Sequence, residues 1–187
     1  MNLTIRKMTV EDVPAVVDLD QKSFSLPWPE RSFRFEVTDN PASRCWVAEL
    51  DGKVVGMIVV WLIVDEAHVA TLATHPDFRR QSIGQRLLSH ALRHLIEEGA
   101  TSSFLDVRES NVAAQEMYRK FGYEETGRRR RYYRDNDEDA ILMNLDSLRV
   151  DRLPLSYGHS TPDQEEQNER STGTGEACQA DPGLHEV

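Results

Sequence analysis

Apolar residues recur with two different periods along the first 146 residues, and each change of period marks a boundary between elements. Residues 2–7 alternate and predict a strand. Thr9-Val10-Glu11-Asp12 has the form of a capping signal and predicts a helix running to about Phe24. Ser25-Leu26-Pro27-Trp28-Pro29 is a stiff aromatic loop. A second helix follows, with Pro29 in its first turn, and runs to Asp39. Arg44 to Leu50 and Lys53 to Val64 predict strands joined by Asp51-Gly52, a strong hairpin signal. His68 to Thr74 is the fourth strand. Ile83, Leu87, Leu88, Ala91, Leu92, Leu95 and Ile96 lie at helical spacing and predict a helix to Glu98, closed by Gly99. Ser103 to Val107 is a fifth strand. Ser110 predicts the cap of a helix that runs to Phe121. Tyr123 to Arg134 and Asp139 to Leu145 finish as two strands around a polar turn at 135–137. Hairpins mixed with crossover helices predict an α/β domain with a mixed sheet.

The pattern stops near Leu153. From there to Val187 the chain has seven Asp or Glu against one Arg, three prolines and few large apolar residues. Such a segment buries too little to offset its ordering entropy. The expectation is one domain over residues 1–150 and an acidic, disordered tail over 151–187. The tail holds −6 of the formal charge of −10. That acidity argues against bulk nucleic-acid binding and weakly favours a cationic partner. Cys45 and Cys178 make no disulfide framework, and the six histidines are scattered, so no metal site is expected. The start of the chain lacks signal-peptide character. The longest apolar stretch, Val54 to Val64, is too short for a bilayer and is broken by Gly56. These features predict a soluble cytoplasmic protein without membrane contact; the oligomeric state is not legible.

The most informative stretch is Arg79-Arg80-Gln81-Ser82-Ile83-Gly84, between the fourth strand and the long helix. A loop feeding a helix N-terminus aims backbone N–H groups and a positive dipole end at one point, which suits a phosphate or pyrophosphate. The string is neither a P-loop nor a dinucleotide fingerprint. Taken alone it also fits an ordinary strand-to-helix connection with solvated arginines.

This order of elements, with a basic loop after the fourth strand, resembles the GNAT acetyltransferases, whose loop reads Arg/Gln-x-x-Gly-x-Gly/Ala. Ala73 to Phe78 is similar to the family lead-in, and Leu105 to Ala114 with Met117 to Tyr123 is similar to its second half. Phe24 to Trp28, Val64 to Ala67 and Arg130 to Tyr133 narrow the likeness to the bacterial RimI group. That group acetylates the N-terminal alanine of small-subunit ribosomal protein eighteen. The resemblance covers about Met1 to Leu145.

It implies a mostly antiparallel mixed sheet with about four helices, splayed between the fourth and fifth strands, with acetyl-CoA as acetyl donor and an N-terminal peptide as acceptor. The backbone of Leu72, Ala73 and Thr74 would pair with the pantetheine arm as an added strand. The amides of Arg80, Gln81, Ser82, Ile83, Gly84 and Gln85 would hold the pyrophosphate, and Asn111 would touch the cofactor. Ser82 departs from the family glycine, which serves positive φ or close approach. As a serine it is also a good helix N-cap.

The resemblance further places the base at Asp106, where the family usually has Glu, and the acid at Tyr118. Aspartate is roughly 1.5 Å shorter, a gap one water can bridge. Glu66 is the rival base. Each has a plainer reading: Asp106 as a solvated strand end, Tyr118 as core beside Met117 and Phe121, and Glu66 as a turn residue. An α-amine, with pKa near 7.7–8.0, is roughly a tenth neutral at pH 7, far more than a lysine side chain. A water-bridged Asp base therefore suits an α-amine better. An acetyltransferase of other protein N-termini or of small amines, and a non-catalytic acyl-CoA-binding module, remain as alternatives. The run Arg128 to Arg131 reads first as a solvated strand surface.

Overall fold

The computed structural model describes residues 3–154 and 178–179. Among the described residues, seven strands lie side by side in one sheet in the order β1-β2-β3-β4-β5-β7-β6, and a further two-residue strand pairs with the fourth. These are β1 Leu3–Lys7, β2 Ser43–Leu50, β3 Lys53–Ile63, β4 Glu66–Thr74, β5 Ser102–Arg108, β6 Glu124–Tyr133 and β7 Glu138–Leu145. The helices are α1 Val13–Ser23, α2 Glu30–Thr38, α3 Ile83–Glu97 and α4 Val112–Lys120. Neighbouring strands are antiparallel except β4 and β5, which run parallel because α3 crosses between them.

Strand alternation builds two cores. On one face, Trp46, Ile58, Val60 and Val69 pack under Leu87, Leu88, Ala91, Leu92 and Leu95 of α3. On the other, Val47, Met57, Val59 and Trp61 pack against Val13, Val16 and Leu19 of α1 and Phe33 of α2. β3 serves both faces, which is why it reads as a continuous apolar run. The β2–β3 turn has Asp51 and Gly52 at positive φ (49° and 82°), as the hairpin signal requires.

Gly56 sets the depth at which α3 docks. A Cβ there would lie 2.9 Å from Ile83 Cγ2 and from Leu87 Cδ1 and 3.2 Å from the Ala73 carbonyl. Only glycine lets the first turn of α3 rest on β3 this closely.

Two local expectations change. The chain enters α1 through a 3-10 turn at Val10–Asp12, where the Thr9 amide and hydroxyl donate to Asp12 Oδ2 at 2.8 and 3.1 Å. The cap of α4 is Asn111 rather than Ser110, with Asn111 Oδ1 accepting from the Ala114 amide at 3.2 Å. Asparagine competes well with serine for that position, and the turn before it decides which residue is presented. Of the segment expected to be an unstructured tail, Leu153 is buried in the α3-side core. Two further residues, Cys178–Gln179 (β8), pair with β4. The rest of that expectation lies outside the described residues.

Candidate active site

The site starts with an irregularity in β4. Val59 lies opposite Thr71 and Val60 opposite Val69, so Ala70 is an extra residue, a β-bulge. The bulge flips the alternation: Ala67 and Val69 face α3, and after it Leu72 does, while Ala70 and Ala73 turn to α1 and α2. It also ends the pairing with β5. Glu66, Ala67 and His68 lie opposite Ser102, Ser103 and Phe104, and the parallel ladder goes no further. Ser103 Oγ donates to the Ala67 carbonyl at 2.8 Å just before the divergence. β4 and β5 therefore splay beyond His68. The splay leaves the inner edge of β4 at Thr71 to Thr74 unpaired by β5, while β3 holds the outer edge and Cys178–Gln179 pair with Leu72 and Thr71.

At the far end of β4 the loop takes a conformation that brings amides together. Arg80 and Ser82 are left-handed (φ 63° and 60°), and alternating backbone hands of this kind form an anion-binding concavity. The first bond of α3 runs from the Arg86 amide to the Ser82 carbonyl (2.9 Å), so the amides before Arg86 lie outside the helical ladder. Arg79 Nε is buried and has no hydrogen-bond partner among the described residues. Ser82 occupies the N-cap position of α3 without a side-chain cap bond. The departure from glycine therefore falls at a position that uses positive φ. A strand edge that β5 leaves, leading to an amide cradle and an arginine, fits an extended ligand ending in phosphates.

Asp106 stands on β5 two residues past the last β4 pairing, on the opened side. Its carboxylate is mostly covered, with 14 % of the side chain exposed. Burial raises its pKa above the ordinary carboxylate value. The Arg129 guanidinium, a hydrogen bond from Tyr132 and the nearby His68 pull the other way. Arg129 donates to Asp106 Oδ2 at 2.9 Å and to the Tyr132 hydroxyl at 3.2 Å. Arg128 to Arg131 are exposed, as a solvated strand surface would be, yet Arg129 and the half-buried Tyr132 reach the Asp106 carboxylate from that surface. The contact crosses β7 and has no signal in local periodicity.

Tyr118 is fully buried on α4, in the same core as Leu72 and Ile83, and its ring meets Tyr123 edge-on at 5.6 Å. Leu105 and Val107 face that core, so Asp106 between them faces away from it. Asp106 and Tyr118 thus lie on opposite faces of the sheet. Glu66 lies at the closed end of the β4–β5 ladder, where its Oε2 is 2.9 Å from His68 Nε2. Asn111 caps α4, at the end of the turn that follows β5.

The walls of the opening are tied together at Arg108. It donates to Asp135 in the β6–β7 turn (3.0 Å), to Glu138 (3.0 Å) and to Ser25 in the α1–α2 loop (3.2 Å), and lies 3.9 Å over the Tyr133 ring. Ser25 also donates to Asp135. Asp20 anchors the same loop from below. Its Oδ2 accepts from the Trp28 amide at 2.7 Å, and burial lifts its carboxyl to about 7. A separate cavity of about 350 Å³ beside α1, lined by Arg6, Asp12, Leu19, Glu49, Lys53 and His75, holds none of the expected site residues. Its Arg6 is already bound by Asp12 and Glu49. Among the described residues no helix is long and apolar enough to cross a membrane, and no cluster of three metal-ligating side chains occurs.

Comparison with known proteins agrees with this geometry. Residues 13–123 match the acetyltransferase (GNAT) family model. The ribosomal protein bS18-alanine N-acetyltransferase of Escherichia coli K12 is 34% identical over 146 residues, covering 76% of this chain and 96% of that protein. An N-alpha-acetyltransferase of Sulfurisphaera tokodaii is 32% identical over 152 residues, 74% of this chain and 90% of its own. Among solved structures, the E. coli ribosomal-protein-S18-alanine N-acetyltransferase superposes with a TM-score of 0.73 at 32% identity, covering 79% of this chain and 96% of that one. Ard1 from Thermoplasma volcanium also gives 0.73, at 27% identity, covering 80% of this chain and all of that one. The splayed sheet, the amide cradle and these matches make one assignment: the chain belongs to the GNAT family and is an acetyl-CoA-dependent N-acetyltransferase.

Proposed function

We propose that this enzyme acetylates the α-amine of an N-terminal alanine, that of the small-subunit ribosomal protein bS18, in the cytoplasm. One observation carries the reading: relatives named for that reaction match three quarters of this chain and nearly all of their own length. Acetyl-CoA supplies the acetyl group as an activated thioester. The inner edge of β4 at Leu72, Ala73 and Thr74 takes its pantetheine arm as an added strand. Arg79 and the amides from Arg80 to Gln85 take the pyrophosphate, and Asn111 borders the arm.

Asp106 accepts the proton of the attacking amine, directly or through one water, and Tyr118 returns a proton to the departing sulfur. Their placement on opposite faces of the sheet separates the two transfers in space. Asp106 lies past the end of the β4–β5 ladder and Glu66 lies inside it, which favours Asp106 as base. Arg129 and Tyr132 hold the Asp106 carboxylate in place from β6. Ser25 to Trp28 and the β6–β7 turn, joined through Arg108, flank the peptide.

The test is mass spectrometry of acetyl transfer to a panel of peptides, combined with two variants. A bS18 N-terminal peptide should gain one acetyl group on its α-amine, and the same peptide with a blocked N-terminus should gain none. Tyr118→Phe should lower kcat by roughly 10²- to 10⁴-fold with little change in acetyl-CoA affinity. Asp106→Asn should also lose activity, less so as pH rises and the amine deprotonates unaided. Acetylation of lysine side chains alone would overturn the substrate. A near-native Asp106→Asn beside an impaired Glu66→Gln would move the base to Glu66.

A further inference from the structure

The inner edge of β4 is occupied by the chain itself. Residues Cys178–Gln179 form a short strand, β8, antiparallel to β4, with Gln179 opposite Thr71 and Cys178 opposite Leu72. β3 already takes the outer edge of those two residues, through Val59 and Ile58. β8 therefore sits in the gap between β4 and β5, where the Ala70 bulge has ended their pairing. This is the segment of edge assigned above to the pantetheine arm, and Leu72 is common to both.

We infer that this edge is a strand-acceptor surface whose occupant, when acetyl-CoA is absent, is the enzyme's own segment around Cys178–Gln179. The proposal rests on the placement of acetyl-CoA along Leu72 to Thr74. An edge that accepts an amide-bearing arm offers the same N–H and C=O row to a polypeptide. The segment suits a slot between two strands. Ala177-Cys178-Gln179-Ala180 is an uncharged run between Glu176 and Asp181, so it brings no charge to desolvate. Residues 155–177 can span roughly 75 Å when extended, at about 3.3 Å per residue. That is ample for the pairing to form within one chain. A tether of this kind presents its segment at an effective concentration on the order of mM. Two paired residues are few enough for the donor to displace them. The expected behaviour is competition with acetyl-CoA rather than a permanent block.

The test uses the full chain and Gln179→Pro, because proline removes a ladder N–H without touching the folded core. Calorimetry should show acetyl-CoA binding about 3- to 10-fold more tightly to Gln179→Pro, and the KM for acetyl-CoA should fall by the same factor. Gln179→Ala, which keeps its amide, should behave as the native chain. Hydrogen exchange over residues 69–74 should be faster in Gln179→Pro and become equal in both chains once acetyl-CoA is added. Unchanged exchange would overturn the pairing. Faster exchange with unchanged acetyl-CoA affinity would overturn the competition. If neither chain binds acetyl-CoA, the donor placement fails and the competition with it, while exchange still decides the pairing. Protection that rises with protein concentration would assign the strand to a second copy and overturn the single-chain form.

Discussion

Ser82 shows how one residue carries both a motif and a strain. It holds a left-handed backbone at φ 60° in the loop where the family has glycine. An L-residue in that region costs about 1–2 kcal/mol, partly offset because glycine has more unfolded freedom to lose. Ser82→Gly should therefore keep or raise the melting temperature and bind acetyl-CoA at least as tightly. A loss of affinity beyond about tenfold, near 1.4 kcal/mol, would mean that the hydroxyl contacts the phosphates. Asp20 is strained in another way. Its side chain is fully buried with a carboxyl lifted from 3.8 to about 7, so the folded state binds its proton more tightly than the unfolded state. The sign follows: stability is greatest below about pH 4 as far as this group is concerned, and falls as pH rises toward 7. Asp20→Asn should remove that loss, narrowing the fall in melting temperature between pH 5 and pH 8. An unchanged pH dependence would show that Asp20 ionises normally.

At the scale of elements, the site depends on how α3 and β4 are set against their neighbours. α3 docks through the notch at Gly56, which places its first turn and hence the Arg80–Gln85 loop. Gly56→Val should push Ile83 and Leu87 away and cost about 1–3 kcal/mol by overpacking. The same change should raise the KM for acetyl-CoA more than that for the peptide, because the cradle moves and the β5 side does not. Equal effects on both would mean that the notch serves packing only. These settings are partly legible in the sequence. The hairpin at Asp51-Gly52 and the apolar stripe of α3 are local and were readable. The bulge at Ala70 was not, since a run of small and β-branched residues reads as an unbroken strand until its partners are known. The choice of Asn111 over Ser110 as cap likewise depends on the turn that leads into α4.

Across the whole molecule, the boundary between domain and tail is set by what the core needs to cover it. Leu148 and Leu153 both lie in the α3-side core, at 5 % and 2 % exposure, past the last strand of the sheet. A chain ending after Pro154 should keep the native melting temperature. One ending after Arg152 loses the Leu153 side chain, and with it about 2 kcal/mol or more. Its melting temperature should drop by several degrees. Equal stability of the two would mean that Leu153 packs without contributing. The fold class and the basic loop were present in the order and spacing of residues, and the family resemblance added the candidates Asp106 and Tyr118. Such features are set by local pattern and by motifs short enough to survive in one segment. Only the tertiary structure separated Asp106 from Glu66, one past the end of the β4–β5 ladder and the other inside it, because the point where β4 leaves β5 is a property of two strands and the helix between them. Only it brought Arg129 and Tyr132 to Asp106 and Arg108 to Ser25, pairings separated by 23 to 83 positions along the chain. Side chains that far apart meet through sheet order and crossover geometry, which no window of sequence contains.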